Sequence, residues 1–189
     1  LEDPCSSFDV FKGNLGTAKT IVIGEDHNYN DLTLRCLVHL MNNDTRFIDQ
    51  PKTLLLEMYQ GDHQEALQVN SFYYFLVMSR YWAICMRSDV TCKGWDLASA
   101  VSNIYDLQHE AQKGRLTKKD YTYFVRSMCA IRNSALWNAI EHEGDALTFV
   151  IAGRAHVQPM EEAEYGFNVD PKYLEQFRIS SLIVANKLE

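Results

Sequence analysis

Two segments of the chain place a histidine three residues after a glycine that ends an apolar run. Gly24-Glu25-Asp26-His27 follows Ile21-Val22-Ile23, and Gly153-Arg154-Ala155-His156 follows Phe149-Val150-Ile151. A third apolar run, Leu54-Leu55-Leu56, ends in Glu57. An imidazole beside a carboxylate moves protons near neutral pH, and two imidazoles with one carboxylate also make a ligand set for a metal. Glycine lets the chain turn sharply off a strand, so each histidine would lie back over the sheet edge. One such histidine reads most simply as a structural cap on a strand end. Two copies, with Glu57 ending the strand between them, read as a site made of His27, Glu57 and His156.

Other ionisable residues rank below these. Glu25 either orients a neighbouring side chain or accepts hydrogen bonds from its turn. Asp96, just before a helical pattern, fits a helix cap better than a pocket residue. Arg132 lies in a long helical pattern among Met128, Ile131 and Leu136, and reads equally as an inward carboxylate or oxyanion partner and as an exposed arginine. His39 reads as structural, and His63, His109 and His142 as solvated. The aromatic cluster at 72–75 and 81–82 reads as core.

The elements that must position these groups are legible as runs and periods. Short apolar runs at 19–24, 52–59, 146–153 and 180–186, with a weaker one at 92–96, predict strands. They are nearly continuous rather than alternating, as expected where both faces of a sheet are covered. Helical patterns occupy 30–43, 62–87, 96–114 and 117–144, the last two ending at Gly114 and Gly144. The alternation predicts an α/β fold with a mainly parallel central sheet flanked by helices, plus a helical layer or insertion over about 61–91 and 96–144. In such folds chemistry gathers outside the carboxyl ends of the strands.

The chain's 189 residues suit one domain, and a hydrophobic content of 47% is ample for a core. A net charge of −7 argues against a nucleic-acid partner held by phosphate contacts. No apolar run approaches a membrane span, and the first residues lack the basic start and apolar core of a signal peptide. The five cysteines form no CxxC pair, which favours reduced, buried thiols over a disulfide scaffold or zinc knuckle. Cys85 and Cys92 flank a turn and would bridge in an exported protein.

The motifs "VIGEDHNYND", "LLLEMYQGD", "MCAIRNSALWNAI" and "VIAGRAHV", spread over residues 20–157, resemble those of a known superfamily. It joins the Tiki metalloproteases, the TraB/PrgY proteins, the erythromycin esterases and the ChaN-like haem-binding proteins, with related domains inside large bacterial toxins. "IGEDH" and "IAGRAHV" look closest to the ChaN-like and erythromycin-esterase-like branches. The resemblance implies a site at one sheet edge built from His27, Glu57 and His156, supported by Glu25 and by Arg132-Asn133.

A hydrolase of ester or amide bonds is the first expectation, acting on a small molecule or a peptide. A histidine would take a proton from water, or His27, Glu57 and His156 would hold a divalent transition metal such as Mn, Co or Zn. No serine stands in a GxSxG elbow, so water attacks directly. The alternative is a haem or small-ligand binding protein without hydrolytic activity, with Tyr29, Tyr59 and His63 as candidate haem contacts. A third is a toxin or effector domain that engages a host protein.

Overall fold

The computed structural model describes residues 3–13, 18–25, 31–59, 79–153, 156 and 181–185. The strands are β1 (Phe8–Gly13), β2 (Thr20–Glu25), β3 (Lys52–Tyr59), β4 (Val90–Asp96), β5 (Leu147–Gly153) and β6 (Ser181–Ala185). The helices are α1 (Asp31–Asn43), α2 (Ala98–Gln112) and α3 (Lys118–Glu143), and a further helical stretch covers 79–85. Among the described residues the strands form one sheet in the order β1-β6-β2-β5-β3-β4. From β6 to β4 every neighbouring pair is parallel; β1 alone runs antiparallel, against β6. The fold is therefore α/β with a mainly parallel sheet.

Strand periodicity divides the core into two layers. Ile21, Ile23, Leu54, Leu56, Phe149 and Ile151 face α1 and the 79–85 stretch, packing with Cys36, Leu37, Met41 and Tyr81. Val22, Leu55, Val150, Ala152 and Trp95 face the other way, against Leu136, Trp137 and Ile140 of α3. These strands are buried on both faces, which is why their sequences read as unbroken apolar runs.

Helix α3 begins at the Thr117 cap, whose side chain accepts from the Asp120 amide, and ends at Gly144, which has φ +56°. It does two jobs along its length. Its first half carries Val125 and Cys129 against Ile104 of α2, and its second half lies on the sheet. Arg132 and Asn133 fall at the junction, level with the strand ends.

The expectation of reduced thiols is corrected, and the alternative Cys85–Cys92 bridge is formed. Cys5 pairs with Cys36 and Cys85 with Cys92, at Cα separations of 4.8 and 5.5 Å, leaving Cys129 as the free, buried thiol. The Cys5–Cys36 pairing is set by proximity in the fold across 31 positions, which residue spacing alone does not reveal. Strand β1 was not anticipated either. It is an edge strand whose partner, β6, comes from the far end of the chain. Of the predicted helix at 62–87, residues before 79 lie outside the described residues. No helix among the described residues is long and apolar enough to cross a membrane.

Candidate active site

The carboxyl ends of β3, β4 and β5 bring together Glu57, Asp96 and His156, and α3 lays Arg132 and Asn133 across them. Glu57 shares the sheet face of Thr53 and Leu55, the face that meets α3. The register of β3 against β4 shifts between Leu56 and Tyr59, so the strand is irregular where Glu57 leaves it. Such irregularities re-aim a side chain at a sheet edge.

Arg132 is the hub. Its Nε donates to Asp96 Oδ1 at 2.9 Å, and its Nη2 donates to Asp96 Oδ2 at 2.7 Å and to Glu57 Oε1 at 2.5 Å. The fork geometry of the guanidinium suits this two-point grip on Asp96. Glu57 Oε2 accepts from the Gly153 amide at 2.6 Å. Asp96 is fully buried and Glu57 nearly so. Burial opposes the charge on Arg132, but the two carboxylates outweigh it and hold its pKa above the ordinary value. The expectation that Asp96 serves as a helix cap is thus corrected. Leu97 is the N-cap of α2 and makes no side-chain cap, while the Asp96 carboxylate is spent on Arg132 and the Leu97 amide.

His156 is buried beside this pair. Its Nδ1 lies 2.5 Å from Asn133 Oδ1, its Nε2 lies 3.7 Å from Glu57 Oε1, and its ring stands edge-on to Trp95 at 5.4 Å. Trp95 is itself pinned by a hydrogen bond from Nε1 to the Ile151 carbonyl at 2.8 Å. With Asn133 Oδ1 accepting, Nδ1 is the donating nitrogen of the ring. Cys129, one turn before Arg132, is pushed up to about 11 by burial, against the pull of Arg132.

Glu25 stands apart from this group. It occupies the opposite sheet face, where Tyr81 donates to it at 2.6 Å and Arg80 at 3.1 Å. Register pairs Glu25 with Gly153, so the two glutamates flank the end of β5. Burial, then the Glu25 charge, pushes the Tyr81 hydroxyl well above its usual range. Tyr81 is core, as the aromatic run implied, but its bond to Glu25 and the part played by Arg80 were not foreseen. Their signal is a Glu at a strand end, which demands a buried donor.

His27, Tyr29 and His63 lie outside the described residues, as does the side chain of Tyr59. Of the anticipated trio, the structure therefore places Glu57 and His156 together. The described donors do not fit a metal centre: both Glu57 oxygens are engaged, Asp96 is held bidentate by Arg132, and no group of three candidate ligands gathers among the described residues. The expected Mn, Co or Zn site therefore has no support in this geometry.

No protein-family model and no curated protein matches the chain. Among solved structures it is similar to ChaN of Campylobacter jejuni, in a structure described as cofacial heme binding to that protein. The TM-score is 0.57 at 13% sequence identity, covering 93% of this chain and 85% of that one. The likeness is one of fold, and the chain has a ChaN-like fold.

Proposed function

We propose that the face carrying Glu57, Arg132 and His156 is a hydrolytic site in which His156 activates water against an ester or amide, without a metal. The observation that carries this reading is the setting of His156. Asn133 takes one ring nitrogen, and the other faces Glu57 at 3.7 Å. Nε2 removes the proton from water, and the Glu57 carboxylate stabilises the imidazolium as it forms. Arg132 holds Glu57 and Asp96 in place through its three hydrogen bonds. His27 joins this site on the strength of its GxxH motif. The resemblance of both GxxH segments to the erythromycin-esterase-like branch, which they share with the ChaN-like branch, supports bond hydrolysis, with a small molecule or peptide as substrate.

A second reading, haem binding without turnover, is favoured by the likeness to the Campylobacter ChaN fold. One set of assays separates the two. The purified chain is offered a panel of chromogenic esters and peptide amides in the presence of a chelator, and is titrated with haem in parallel. Chelator-resistant hydrolysis supports the first reading. A stoichiometric haem absorption band with no hydrolysis overturns it in favour of the second.

A further inference from the structure

The carboxyl edge has a second face, on the side of the sheet away from α3. Helix α1 follows β2, so its N-terminus stands at the edge where Glu25 ends its strand. Thr33, the third residue of α1, is 0% exposed. It shares the helix stripe of Leu37 and Met41, which faces the sheet. Among the described residues, its Oγ1 is the one buried side-chain polar atom without a hydrogen-bond partner.

That orphan needs an explanation, because a buried hydroxyl gives up its hydrogen bonds to water. Hydroxyl residues elsewhere in the protein bond to the carbonyl one turn back, as Thr122 does to Lys118 and Ser134 to Ala130. Thr33 does not. Side chains on a helix lean toward its N-terminus, so this hydroxyl leans toward the first-turn amides. Those amides have no partner within the helix, and the dipole makes that end of α1 favourable to negative charge.

We propose that Thr33 and the first turn of α1 bind an oxyanion, a carboxylate or a phosphate group, to which the hydroxyl and the amides donate. This site lies across the sheet from His156 and is read by binding rather than by turnover, so it stands apart from the hydrolytic reading.

The test uses the full chain, Thr33→Val, which keeps the shape and loses the hydroxyl, and Thr33→Ser, which keeps the hydroxyl. Thermal unfolding is followed against inorganic phosphate and, separately, against succinate. At least one anion is expected to raise the Tm saturably. Its affinity should fall roughly fivefold or more in Thr33→Val and stay close to the original in Thr33→Ser. A response to phosphate alone assigns a phosphate-bearing ligand, a response to succinate alone a carboxylate, and a response to both an oxyanion of either kind. Absence of saturable binding to either anion would overturn the proposal, and so would equal affinity in Thr33→Val. A lower ligand-free Tm in Thr33→Val would also overturn it, by assigning the hydroxyl a structural partner.

Discussion

The Arg132 guanidinium lies between two buried carboxylates, and its side chain is only 12% exposed. Arg132→Ala would take the cation away from Glu57 and Asp96 together, and is expected to cost about 3–5 kcal/mol in urea unfolding. Arg132→Lys should recover only part of this, since a single ammonium cannot grip Asp96 at two points. Cys129 gives a pH signature. Its thiol is raised from 9.0 to about 11, so its contribution is intact below pH 9 and lost as pH rises through about 11. The urea midpoint should fall over that interval, and less so in Cys129→Ala. Glu57 and His156 were legible because each ends or follows an apolar run. Asp96 was misread because an Asp before a helix has a commoner job, and only the position of Arg132 across the strand ends reassigns it.

Strands β2 to β6 were legible to within a residue or two, the central ones because two-sided burial writes continuous apolar runs, whereas the edge strand β1 was missed. Helix α3 was legible by its length and by Gly144, but its split between α2 and the sheet was not. That split depends on which partner each half meets, and it is what brings Arg132 to the strand ends. The disulfides act at this scale too. Cys85–Cys92 fastens the stretch that carries Arg80 and Tyr81 to β4, and Cys5–Cys36 fastens the segment before β1 to α1. Closing so short a loop as 85–92 contributes about 2–3 kcal/mol in the chain-entropy account, and the longer loop about 1 kcal/mol more. Reduction with dithiothreitol should therefore lower the urea midpoint, and Cys85→Ser should reproduce the smaller part of the loss.

Across the whole molecule α1 lies on one sheet face and α3 on the other, so among the described residues the carboxyl edge carries a polar group on each face. On the α3 side Glu57, Asp96, Arg132, Asn133 and His156 share one network; on the α1 side Glu25 is held by Tyr81 and Arg80. The sequence expectation gathered Glu25 with Glu57 and His156 because all stand at strand ends. Face is decided by strand register and by the helix each side meets, and Glu25 falls on the far side. The proposed chemistry rests on the α3-side network. Its most direct test is kcat/KM of His156→Gln against the unaltered chain on the best ester or amide substrate, with circular dichroism confirming the fold of both. A fall of roughly a hundredfold or more at unchanged fold is expected. Equal rates in the two proteins would contradict it.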